Sequence, residues 1–202
     1  MILWPSPAAY AAEAPIVAPP DGFVDLRAIP GLEFDIRYAS ADNFTGAPLP
    51  GYALPGAWLR APAVAALVRA QALLAAQGYG LRVFDAYRPE RASRAMVAWT
   101  VATHQQHLVA DGYIAARSLH NRGVAIDLTL THNGVAVDMG TEFDVFDASS
   151  HTRNAAGPAL ENRLRLAAAM TAAGFTAYPT EWWHFQLPGE FAPIDVPYDP
   201  AP

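Results

Sequence analysis

At 202 residues with 52% hydrophobic side chains, the chain is long enough to bury a core and short enough for one domain to be the default. The formal net charge is -6 and every one of the 13 basic residues is an arginine, scattered along the chain. That argues against the clustered cations a nucleic-acid partner or a membrane surface needs, and no apolar stretch approaches the roughly 18 residues of a membrane span.

Cysteine is absent, so disulfides, thiolate nucleophiles and cysteine-rich zinc sites drop out together, and any metal must be held by His, Asp or Glu. Residues 1–20 read as a proline-rich extension and residues 21–202 as the domain. Ala9, Tyr10 and Ala11 resemble a signal-peptidase site, but residues 1–15 carry no positive charge and prolines interrupt the short apolar run, which argues against a working secretory signal. A cytoplasmic location is the expectation, a periplasmic one the alternative.

Up to about residue 57 the chain is rich in proline, glycine and aromatics, and loops with edge strands are predicted, the extended stretches being 23–26 and 32–38. A helix over 61–77 follows, with Pro62 near its start and Gly78 just past its end. A strand over 81–86 precedes Pro89, which opens a second helix running to about Leu108, with Arg91 and Arg94 spaced to share a face. Over 124–130 Val124, Ile126, Leu128 and Leu130 alternate with Ala125, Asp127 and Thr129, the pattern of a half-buried strand, and Asn133-Gly134 turns it into a hairpin with 135–137. A third helix spans about 159–173 and is closed by Gly174; strands over 175–178 and 182–187 come next, and 188–202 reads as an extended tail. Helices and hairpins mixed in this order predict a single α+β domain with a central antiparallel sheet, flanking helices and a cleft.

Two stretches carry candidate chemistry. In Ser118-Leu119-His120-Asn121-Arg122-Gly123-Val124-Ala125-Ile126-Asp127, Asp127 shares its strand face with the small residues Ala125 and Thr129, which suits a cleft floor. Taken singly, His120 is more often a loop histidine and Asp127 a solvated strand residue. In Glu181-Trp182-Trp183-His184, two tryptophans seek burial and must enclose the polar pair with them, so the carboxylate needs a cation or donors nearby; a hydrogen-bonded core histidine is the alternative. Together, His120, Asp127 and His184 would fill three positions of a tetrahedral zinc site and leave the fourth for water, the catalytic arrangement, with one ion per chain. Glu181 is then placed to take a proton from that water. Residues three apart on a straight strand face opposite sides, so Glu181 must lie in a bend, a bulge or the preceding loop. Arg88, at a strand-to-helix junction before Pro89, is a candidate to hold a developing oxyanion, or else a surface arginine or a partner of Asp85.

With the Tyr87-Arg88-Pro89 turn, these stretches resemble the zinc D-alanyl-D-alanine dipeptidases of the vancomycin-resistance type. The likeness continues through Asp138-Met139-Gly140-Thr141-Glu142-Phe143-Asp144, His151, Asn162-Arg163 and Gly174-Phe175, and covers the chain from about residue 20 onward. It implies zinc on His120, Asp127 and His184, Glu181 as base and then acid, and Arg88 at the tetrahedral intermediate. It also implies that Ser118 helps to hold the carboxylate of a small dipeptide and Asp144 its ammonium.

Other residues and other classes are less well supported. His104 and His107 are three apart in the second predicted helix, but Gln105 and Gln106 between them favour a solvated face. Glu142, Asp144 and Asp147 lack the glycine and ligand spacing of an EF-hand calcium loop. A non-haem iron oxygenase uses two His and one carboxylate but needs no base like Glu181. A zinc-containing binding module of the hedgehog type is disfavoured because Glu181 and Arg88 are both present. A D,D-carboxypeptidase acting on longer cell-wall peptides stands nearest.

Overall fold

The computed structural model describes residues 17–115 and 117–200. The stretch around Ala9 to Ala11 that resembles a signal-peptidase site, and most of the proline-rich extension, lie outside the described residues. Among those described, the strands are β1 (Phe23–Asp25), β2 (Leu32–Phe34), β3 (Trp58–Arg60), β4 (Gly80–Asp85), β5 (Ala125–His132), β6 (Val135–Ala136), β7 (Thr176–Ala177) and β8 (His184–Gln186). The helices are α1 (Ala61–Ala75), α2 (Glu90–Ala102), the one-turn α3 (His107–Ala110) and α4 (Gly157–Ala172). No helix among the described residues is long and apolar enough to cross a membrane.

The main sheet runs β2-β4-β5-β8-β7, with β6 added to β5 as a hairpin, while β1 and β3 form a separate antiparallel pair. The α+β domain is as expected, but the sheet is mixed: β2 runs parallel to β4, and the remaining pairs are antiparallel. A parallel partner needs a crossover, and α1 supplies it between β2 and β4. Leu81, Val83, Leu128 and Leu130 are fully buried on one face, where Leu67 and Leu74 of α1 and Leu166 and Met170 of α4 join the same core. The opposite face carries Asp127 and Thr129.

Some expected elements differ. The stretch expected to be extended over 32–38 is strand only at Leu32–Phe34, and Arg37–Ala39 forms a 3₁₀ turn. The second helix stops at Ala102 because His104 adopts a positive φ of 58°, which breaks the helical ladder before the chain restarts at α3. His104 and His107 therefore lie in a turn and in a separate helix, both exposed. The residues after β8 are extended but not a loose tail. Asp195 accepts hydrogen bonds from Arg91 N and Nε at 2.9 and 3.0 Å and from Arg94 Nη2 at 3.1 Å, so the two arginines do share a face and clamp the segment. Tyr198 is fully buried with its ring 4.4 Å from that of Trp58, and its hydroxyl donates to Tyr87 O at 2.6 Å.

Deleting a buried aromatic side chain costs about 3–5 kcal/mol, so Tyr198→Ala is expected to lower stability by about that amount in urea unfolding. A loss below about 1 kcal/mol would mean that the segment is only laid on the surface.

Candidate active site

His120 sits in a tight 3₁₀ turn, Leu119–Arg122, whose start is fixed reciprocally: Ser118 Oγ accepts from His120 N at 3.2 Å, and Ser118 N donates to Asn121 Oδ1 at 3.1 Å. Gly123 ends the turn at φ 68°, and a β-carbon there would lie 2.1 Å from Phe23 Cε1, so only glycine fits. The chain then enters β5, where Asp127 lies opposite Asp85 on β4 and opposite His184 on β8. The register between β4 and β5 shifts between Val83 and Asp85, so that Phe84 and Asp85 together face Asp127. Without that bulge Phe84 would stand opposite Asp127 and Asp85 would turn to the helix-covered face.

The ring nitrogen Nδ1 of His120 lies 2.6 Å from Ala86 O. A carbonyl can only accept, so Nδ1 carries the proton and Nε2 presents its lone pair. That Nε2 is 3.1 Å from His184 Nδ1 and 3.3 Å from Asp127 Oδ1, and His184 Nδ1 is 3.0 Å from the same carboxylate oxygen. Lone-pair donors aimed at one point repel unless a cation or protons lie among them, so this is the donor chemistry of a cation site. His120, Asp127 and His184 are the group found among the described residues that could hold a metal. Burial alone would raise the Asp127 carboxyl, but the charges and hydrogen bonds of His120 and His184 outweigh it and hold the pKa well below the carboxylate range.

Glu181 lies in the turn before β8, not on the strand: His184 N donates to Glu181 O at 3.2 Å. This resolves the facing difficulty, since β8 begins only at His184 and Glu181 Oε2 comes within 4.0 Å of His184 Nδ1. Its carboxyl is pushed up to about 7, first by burial and then by Asp127, against the lowering charges of His184 and Arg88. Arg88 is buried, not a surface residue. Its Nε donates to Asp85 Oδ2 at 2.9 Å, its Nη2 is 3.5 Å from Asp127 Oδ2, and its guanidinium lies 4.9 Å from the ring centre of Tyr38. Asn121 holds the Arg88 loop to the His120 turn by donating to Arg88 O at 2.8 Å.

Asp144 enters the cleft from a backbone with φ 61°, and Tyr38 Oη lies 3.1 Å from each of its carboxylate oxygens. Burial, together with the charge of Asp127, raises its pKa well above the usual value. Glu142 and Asp147 are exposed and do not converge with it. Ser118, Arg88, Asp144, Glu181 and the three residues that could hold a metal all line one cleft of about 200 Å³. All seven residues singled out in the sequence thus meet at one place. Tyr38, Asp85, Tyr52 and Asn121 were not identified as site residues; for Asp85 the signal was its position three before Arg88.

A family model described as D-ala-D-ala dipeptidase matches residues 20–200. The chain is 36% identical over 187 residues to the D-alanyl-D-alanine dipeptidase of Enterococcus faecium, covering 84% of this chain and 93% of that protein. It is 38% identical over 185 residues to the protein of that name from Streptomyces coelicolor, covering 83% and 91%, and 40% identical over 169 residues to that from Escherichia coli, covering 82% and 84%. With the fold and the cleft in hand, such agreement over nearly the full length of each relative means that this chain belongs to the D-Ala-D-Ala dipeptidase family of metallopeptidases.

Proposed function

We propose that this enzyme hydrolyses D-alanyl-D-alanine to two molecules of D-alanine, with one zinc ion held by His120, Asp127 and His184. The observation that carries the reading is the convergence of these three donors beside Glu181 at the floor of a small cleft. Tetrahedral zinc with bonds of about 2.0–2.1 Å sets its donors roughly 3.3–3.4 Å apart, and the separations of 3.0, 3.1 and 3.3 Å here lie at or a few tenths of an ångström below that spacing. The cleft volume of about 200 Å³ lies below the range of roughly 300–1,000 Å³ typical of drug-sized ligands, which favours a very small substrate.

Zinc bound there would supply Lewis acidity and make water ionisable near neutral pH. Glu181 then takes a proton from the attacking water and returns it to the leaving amine, a task for which a carboxyl pKa near neutrality is suited. The guanidinium of Arg88 meets the charge that develops on the carbonyl oxygen of the scissile bond. Ser118, at the rim of the His120 turn, holds the substrate carboxylate. Asp144, ionised on meeting the substrate's ammonium, anchors the other end. A peptide with one scissile bond between two charged termini satisfies both anchors; a longer or N-blocked one leaves Asp144 facing an amide, and unpaired buried groups of this kind produce large discrimination.

Protein purified without added metal is expected to contain one zinc per chain by elemental analysis. His120→Ala and His184→Ala should lose it, and His104→Ala and His107→Ala should keep it. Stoichiometric iron with oxygen-dependent turnover would overturn the hydrolase reading. Glu181→Gln is expected to retain zinc while turnover falls about 10²–10⁴-fold; near-normal turnover would exclude Glu181 as base. Among D-alanyl-D-alanine, its N-acetyl form, D-alanyl-D-lactate and a tripeptide ending in the same pair, assays of released D-alanine should favour the free dipeptide over the blocked and longer forms. Equal or better cleavage of those forms would move the assignment to a D,D-carboxypeptidase.

A further inference from the structure

One buried acid has no part in the chemistry above. Asp85, at the end of β4, has 0% of its surface exposed, and both of its oxygens are engaged. Oδ1 accepts from the Tyr52 hydroxyl at 2.5 Å; Oδ2 accepts from Arg88 Nε at 2.9 Å and lies 2.9 Å from Arg88 Nη2. The same Oδ2 is 3.3 Å from His120 Nδ1, but the proton on that nitrogen has the closer acceptor in Ala86 O at 2.6 Å. Arg88 is therefore the main cationic partner of Asp85.

A guanidinium is planar and its hydrogens form a fixed fork, so an anion engaging Nε and Nη2 sets the direction of every other N–H. The nitrogen left over, Nη1, has among the described residues only Met96 Sδ at 3.4 Å, a weak acceptor, and Met96 and Arg88 both line the cleft. Asp127 is the competing anion, since its Oδ2 is 3.5 Å from Arg88 Nη2. Without the charge of Asp85, the guanidinium would be drawn towards Asp127 and its Nη1 donors would turn away from the cleft.

We propose that Asp85 is a positioning residue for Arg88: it fixes the guanidinium so that the Nη1 donors stay directed at the cleft, and the Tyr52 hydroxyl locks the carboxylate in place. The proposal rests on the role of Arg88 in dipeptide hydrolysis set out above.

The test is a double-mutant cycle of Asp85→Asn and Arg88→Ala, with D-alanyl-D-alanine turnover, zinc content and thermal melting measured on each protein. In the unmutated background Asp85→Asn is expected to lower kcat by at least about 10-fold with KM little changed and zinc retained; in the Arg88→Ala background it should cost less than about twofold, because residues acting as one unit are non-additive. Removing an oxyanion donor typically costs about 10²–10³-fold, which leaves Arg88→Ala measurable at high enzyme concentration. Tyr52→Phe, which removes a single hydroxyl, should give a smaller loss in kcat that also disappears without Arg88, and it decides the matter if Asp85→Asn does not fold. Equal losses in both backgrounds, or loss of zinc along with activity, would overturn the proposal while leaving the dipeptidase reading intact. Absence of hydrolysis by the unmutated protein would overturn both.

Discussion

The site depends on one level of pairing across three strands. Asp127 in β5 has Asp85 beside it on β4 and His184 beside it on β8, so a single row of the sheet sets a carboxylate between a second carboxylate and an imidazole. Side chains at paired positions share a face, and a slip of one residue would send any of the three to the opposite side. The bulge at Phe84 is what brings Asp85 into that row. Everything else approaches from outside it: His120 from the turn that feeds β5, Arg88 from the loop leaving β4, and Glu181 from the turn that precedes β8.

Within this arrangement, four carboxyl groups surround one guanidinium and two imidazoles, yet they do not behave alike. Asp127 touches both imidazoles, and their charge and hydrogen bonds overcome the penalty of burial. Glu181 and Asp144 lie further from cationic groups, burial dominates, and both are raised. Environment alone separates a firm anion suited to a metal from carboxyls that can exchange a proton or await a counter-charge. Asp85 is different again, because Arg88 engages it directly and no part of it reaches solvent.

Much of this was legible in the sequence, for local reasons. The alternation from Val124 to Leu130 identified the strand and the face of Asp127, Asn133-Gly134 identified the hairpin, and Pro62 with Gly78 bracketed the first helix. The need for Glu181 to leave the strand followed from a period of two, and the turn ending at His184 satisfies it. What could not be read was non-local. The parallel pairing of β2 with β4, the bulge that turns Asp85 and the packing of Tyr198 beneath Trp58 are settled by partners tens of residues away or more. The break at His104 is local, but it rests on a backbone angle that residue identity does not announce.

The seating of Tyr198 also bears on when the molecule can fold during synthesis. Tyr198 N donates to Gly51 O, Leu54 N donates to Tyr198 O, and its ring lies among those of Tyr52, Trp58 and Tyr87. These partners precede it by more than a hundred residues, so a nascent chain carries an unfilled aromatic socket until residue 198 has been added. Contacts of such separation close late and slowly, and the exposed rings are the kind of surface that chaperones cover and that aggregation exploits. The loop bearing Arg88 is completed by the same event, because the Tyr198 hydroxyl bonds to the carbonyl of Tyr87. Ribosome-bound chains that stop short of residue 198 therefore lack one of the bonds that hold the Arg88 loop.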